Sequence, residues 1–146
     1  MLNTTQIQSS FPGVFPLSNE VRCLLLDDSR FDRARIRRLS GKTKLTIELD
    51  EVDTLSQFDA ALNKARYDLI LIDYYLPVGD GMVALDHVNI SELNARAAKI
   101  MITGNSAPGT ITQASYAGCH DYLTKSEMSI VTLRSAIINA LTAAQG

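Results

Sequence analysis

The strongest restriction on how this chain folds is a change of hydrophobic period, from strand-like to helix-like and back, repeated five times after residue 20. VRCLLLD is a short apolar run ending in acid, suited to a strand buried on both faces. Ser29 stands where it can cap a helix running to about residue 40, with Ile36 and Leu39 turned inward among arginines. KLTIELDEVD alternates as a strand, and TLSQFDAALNKA sets Leu55, Phe58, Ala61 and Leu62 on one helical face. DLILID is a second all-apolar strand closed by acid. Beyond Pro77 and the Gly79-Asp80-Gly81 turn, residues 81–97 read as one helix, KIMIT as a strand and PGTITQASYAG as a helix stopped at Gly118. HDYLT makes a last short strand, and SIVTLRSAIINALTAA a closing helix with Ile130, Leu133, Ile137 and Leu141 in phase.

Strand and helix in regular alternation argue for an α/β fold: a parallel sheet with helices on both faces. At 146 residues and 46% hydrophobic content the chain can close one core, so a single domain is expected over 21–146. Residues 1–20 show neither period and are broken by Phe11-Pro12 and Phe15-Pro16; they read as a flexible N-terminal arm. In a parallel sheet every strand points its carboxyl end at the same rim, and function is expected there.

Chemistry-bearing residues collect at that rim. Asp27-Asp28 follow the first strand, Asp73 closes the third, Thr103 closes the fourth and Lys125 follows the fifth. One pocket would thus hold three carboxylates, a hydroxyl and an ammonium. Carboxylates so close repel one another, and a hard divalent cation with oxygen ligands, such as magnesium, would neutralise them. Asp28 and Asp73 are expected as direct ligands, Asp27 as a direct or water-mediated one, and the backbone carbonyl of Tyr75 as a further candidate. Asp73 is then placed to attack phosphorus and form an acyl phosphate, with Thr103 and Lys125 each stabilising a phosphoryl oxygen.

Composition narrows the alternatives. Fourteen basic against sixteen acidic residues leave a net charge of -2, which gives no global case for nucleic acid or an anionic membrane. No apolar stretch reaches the ~20 residues of a membrane span, so a cytoplasmic protein is the default. Cys23 and Cys119 lack metal or redox spacing and read as reduced, structural thiols. His87 and His120 are too isolated for a zinc site, and GDGM is no dinucleotide loop.

The ordered set of Asp27-Asp28, LILIDYYLPVGDG with Asp73, Pro77 and Asp80-Gly81, IMITG with Thr103, and DYLTKS with Lys125 resembles the receiver domains of two-component response regulators. The resemblance covers residues from about 20 to 144. It implies a flavodoxin-like, doubly wound (βα)5 sandwich with strand order 2-1-3-4-5. It also implies phosphorylation of Asp73 by a histidine kinase or histidine phosphotransfer protein, and later loss of the phosphoryl group to water. By the same resemblance Tyr122 is a switch residue whose ring turns inward as Thr103 is drawn to the phosphate. The fourth helix, fifth strand and fifth helix would be the face presented to a downstream protein, with the chain a monomer or a phosphorylation-dependent dimer. Where many members have proline, Ser126 follows Lys125, which leaves that loop's geometry open. Tyr75 and Asn105 flank the path of attacking water, and Tyr75 is expected to slow hydrolysis.

Five arginines between Arg30 and Arg38 spread over more than one helical face. They suit a solvated, salt-bridged helix or the docking of an acidic partner. The chain ends after the fifth helix, so a stand-alone receiver acting by protein contact is expected. The alternatives are a receiver cut from a longer regulator or hybrid kinase, a phosphorylation-independent binding module, and a small aspartyl-phosphate hydrolase. The last would need a further acid/base group and a cap that the sequence lacks.

Overall fold

The computed structural model of the chain describes residues 20–77, 80–104 and 108–146. The arm with Phe11 and Phe15, Gly79 of the turn, and Asn105 lie outside the described residues. The elements are β1 (Val21–Leu26), α1 (Arg30–Ser40), β2 (Ile47–Val52), α2 (Leu55–Lys64), β3 (Leu69–Asp73), α3 (Gly81–Asn89), β4 (Ala98–Thr103), α4 (Pro108–Tyr116), β5 (Asp121–Thr124) and α5 (Ile130–Gln145). A single 3-10 turn, Lys125–Glu127, joins β5 to α5.

The strands pair in parallel in the order β2-β1-β3-β4-β5, the flavodoxin-like arrangement. The order reverses beside β1, and register carries the consequence to the rim. Leu26 pairs with Ile72, so Asp27 stands level with Asp73. Asp73 pairs with Ile102 and Thr103 with Thr124, so Thr103 and Lys125 each stand one step past a paired residue.

Alternation along the strands divides the core into two layers. Val21, Cys23 and Leu25 of β1 face Ile36 of α1 and Leu133, Ile137 and Leu141 of α5. Leu24 and Leu26 face Phe58 and Leu62 of α2, Leu85 and Val88 of α3, and Ala114 of α4. Burial of each large aliphatic side chain contributes roughly 1.5–3 kcal/mol. The edge strand β2 is half-buried throughout except for exposed Glu48, and Arg22 of β1 reaches across to Glu48 at 2.9 Å and Asp50 at 3.4 Å. Cys23 and Cys119 are free thiols, and burial raises the pKa of both. No described helix is long and apolar enough to cross a membrane.

Two helical expectations are corrected. The helix read over 81–97 stops at Asn89, and Asn94 explains why. Its buried amide donates to the carbonyls of Leu62 and Ala65, both at 2.9 Å, and accepts from the Tyr67 amide at 2.7 Å. Three hydrogen bonds at about 1 kcal/mol each favour an open turn, where Asn94 can satisfy the backbone between α2 and β3. In α5, Leu133, Ile137 and Leu141 are buried, but Ile130 is exposed. It stands in the first turn, at the rim, next to the capping box of Ser129 and Thr132.

Candidate functional site at the carboxyl rim

Three of the expected side chains meet. Carboxylate oxygens of Asp27, Asp28 and Asp73 all lie within 4.8 Å of one another. Asp27 and Asp73 are buried while Asp28 is exposed, so the cluster opens to solvent on one side. Asp27 is set by two backbone contacts: its Oδ1 accepts from the Ser29 amide at 2.8 Å, and its carbonyl accepts from Arg33 at 2.8 Å. Its other oxygen, Oδ2, is buried without a well-aligned hydrogen bond. That oxygen faces the Lys125 ammonium at 3.1 Å, and a hard cation fits the all-oxygen donor set of the three carboxylates.

Asp73 is held by the loop that follows it. The Tyr75 amide donates to its Oδ1 at 3.2 Å. Asp80 fixes the far side of the loop by capping α3, accepting from the amides of Met82 and Val83, while the Gly81 amide donates to the Tyr74 carbonyl at 2.7 Å. Gly81 is required by close approach: a Cβ there would lie 2.7 Å from Tyr74 Cα and 2.8 Å from both the Asp73 carbonyl and Met101 Sδ. Burial pushes the Asp73 carboxyl up to about 6, with Asp27 acting in the same direction and Lys125 opposing.

Lys125 reaches into the cluster from the 3-10 turn. Its Nζ lies 2.7 Å from Asp32, 3.1 Å from Asp27 and 3.4 Å from Asp73. Burial alone would lower its pKa, but Asp32, Asp27 and Asp73 outweigh that and hold it above the usual lysine value. Thr103 is wholly buried at the end of β4. Tyr75 is 52% exposed and stands edge-on to Tyr74 beside the pocket. Tyr122 lies farther back on β5, half-buried on the α2–α3–α4 side of the sheet.

The arginines of α1 divide by role. Arg33 bonds the Asp27 carbonyl, Arg37 pairs with Glu51, and Arg35 donates to the carbonyls of Lys125 and Met128 at 2.8 and 2.7 Å. Arg30 and Arg38 remain exposed. Asp32 and Arg35 were not among the residues expected at the site. Their clue was the inward phase of Ile36 and Leu39, which puts positions 32 and 35 on the same side of the helix.

Residues 23–138 match the family described as response regulator receiver domain. The chain belongs to that family. Among curated relatives of this receiver, Protein CcdB of Bacillus subtilis is 30% identical over 104 residues, covering 71% of this chain and 84% of its own. The transcriptional regulatory protein ResD of the same organism is 34% identical over 111 residues, but these are 74% of this chain and 43% of ResD. Among solved structures, the receiver domain of the sensor histidine kinase PA1611 from Pseudomonas aeruginosa superposes with a TM-score of 0.72 at 26% identity. That match covers 86% of this receiver and 99% of that chain, which carries a magnesium ion coordinated in its active site cleft.

Proposed function

We propose that Asp73 is the phosphoacceptor of this receiver. The observation that carries the proposal is the convergence of Asp73 with Asp27, Asp28 and the Lys125 ammonium at one rim. A carboxylate oxygen of Asp73 forms the new bond to phosphorus while the bond from phosphorus to a phosphohistidine nitrogen breaks, its electron pair staying on that nitrogen. With its pKa near 6, Asp73 is mostly in the nucleophilic, ionised form at neutral pH. Asp27, Asp28, Asp73 and the Tyr75 backbone carbonyl would hold magnesium, which when bound neutralises the carboxylates and spreads the charge of the transferring group. Thr103 and Lys125 each stabilise a phosphoryl oxygen.

The donor, a histidine kinase or phosphotransfer protein, would approach over the starts of α1 and α5. Phe31 is 76% and Val131 71% exposed there, with Arg30 nearby in sequence. The output is proposed to pass through Tyr122 to α4, β5 and α5, in a cytoplasmic setting. Because the relative ResD extends well beyond the matched region, a second reading has this receiver working as one part of a longer regulator.

Incubation with acetyl phosphate and magnesium, followed by intact mass measurement, is expected to show one added phosphoryl group, which does not form when the metal is chelated beforehand. No adduct on the wild type would overturn the proposal. In the same assay Tyr75→Asn is expected to shorten the lifetime of the adduct by on the order of threefold, because the exposed ring no longer screens the phosphoryl group from water. A lifetime equal to or longer than that of the parent would remove the shielding role.

A further inference from the structure

The three carboxylates around Lys125 are not equivalent. An ammonium has three N–H donors, and here the distances rank their partners: 2.7 Å to Asp32, 3.1 Å to Asp27 and 3.4 Å to Asp73. The longest, most easily surrendered contact is to the residue that would take the phosphoryl group. The shortest is to Asp32, in the first turn of α1 and outside the trio suited to a metal. On the same side of α1, Arg35 holds the main chain of the turn that carries the lysine, bonding the carbonyls of Lys125 and Met128. Helix α1 thus grips Lys125 by its head and by its backbone. The turn itself has Ser126 after the lysine, and no described peptide bond is cis.

We infer that Asp32 and Arg35 are positioning residues that hold Lys125 for contact with the phosphoryl group. Asp32 keeps one N–H engaged, and the N–H now directed at Asp73 passes to a phosphoryl oxygen. No covalent bond changes in this exchange; one charged hydrogen bond replaces another. The lysine arrives already ordered, so little side-chain freedom is lost when the phosphoryl group appears. The inference rests on Asp73 being the phosphoacceptor.

A merely electrostatic role for Asp32 has the opposite sign, which makes the test decisive. Removing a carboxylate near an anion site strengthens anion binding by Coulomb attraction alone, whereas removing an anchor for Lys125 weakens it. Beryllium fluoride, a phosphoryl mimic, is titrated with magnesium into wild type, Asp32→Asn, Lys125→Met and the double variant, with binding read by fluorine NMR. Asp32→Asn is expected to weaken binding about tenfold, the size of one lost charged hydrogen bond. In the Lys125→Met background the same change should weaken it no further. Asp32→Glu should recover part of the loss, and Arg35→Lys, which keeps the charge but not the fork, should weaken binding about threefold. Unchanged or tighter binding by Asp32→Asn, or an equal weakening with and without Lys125, overturns the inference. Failure of the wild type to bind the mimic at all removes the phosphoacceptor assignment itself, and the inference with it.

Discussion

Asp73→Asn is expected to take no phosphoryl group from acetyl phosphate and magnesium, and yet to unfold at a higher temperature than the metal-free parent at neutral pH. The amide has no anionic oxygen to attack phosphorus, so the adduct disappears altogether. The gain in stability follows from the cost of ionising a carboxyl that is buried beside Asp27 and whose pKa is pushed up to about 6. The folded protein binds this proton more tightly than the unfolded chain. Asp73's contribution to stability is therefore complete below about pH 4 and is lost as the pH rises through about 6. The loss is on the order of 1–2 kcal/mol once partial access of solvent is allowed for, and asparagine avoids it. Parent and variant should converge in acid, and magnesium should raise the midpoint of the parent much more than that of the variant. Thermal unfolding across pH, with and without magnesium, checks each point. A variant less stable than the metal-free parent at pH 7 would show that the ion pair with Lys125 outweighs the repulsion and burial.

Gly81→Ala is expected to destabilise the receiver by about 2–4 kcal/mol, a large loss for one methyl group. Two of the three atoms a Cβ would meet are backbone, Tyr74 Cα and the Asp73 carbonyl oxygen, and they cannot step aside as a side chain can. Relief requires the end of β3 to move, taking with it the Tyr75 amide that orients Asp73. Phosphoryl uptake should fall at least about tenfold even in the fraction that remains folded, because small misplacements of a nucleophile are costly. Denaturant unfolding and the rate of adduct formation measure the two effects separately. Parental values for both would mean that the loop can yield without disturbing the acid.

How much of this was legible beforehand depended on whether a residue's role was set by local pattern or by a distant partner. Asp27, Asp28, Asp73, Thr103 and Lys125 follow apolar runs, and in a parallel sheet that position alone sends them to one rim. Asp28 and Asp73 are accordingly found together, and Lys125 lies within hydrogen-bonding range of Asp73. Asp32 was opaque for the opposite reason. An acid in the first turn of a helix is favourable on any surface helix, through the dipole, and nothing in its neighbours says that a lysine 93 residues away will reach it. Arg35 was hidden among four other arginines, because helical phase separates faces but does not say which loop lies over each one. Asn94 misled more actively. It lies in a segment whose apolar spacing suits a helix, while its amide is engaged by the carbonyls of Leu62 and Ala65, a tertiary demand that overrides local period. Lys99 sits similarly buried in β4, its ammonium donating to the carbonyls of Ala95 and Ala97.

The two outer strands limit how copies of this receiver can associate. Among the described residues, each leaves one row of backbone donors and acceptors without a neighbouring strand, the usual template for growth of a sheet from chain to chain. Here β2 carries Glu48, Asp50 and Glu51 within six residues, and β5 is only four residues long. A second copy laid against β2 in the same fashion would bring acid against acid, and one laid against β5 would find too few rungs to hold. Polymerisation through the sheet is thereby discouraged at both ends, so that any contact between copies would fall to helical surfaces, which can meet and part without opening the sheet.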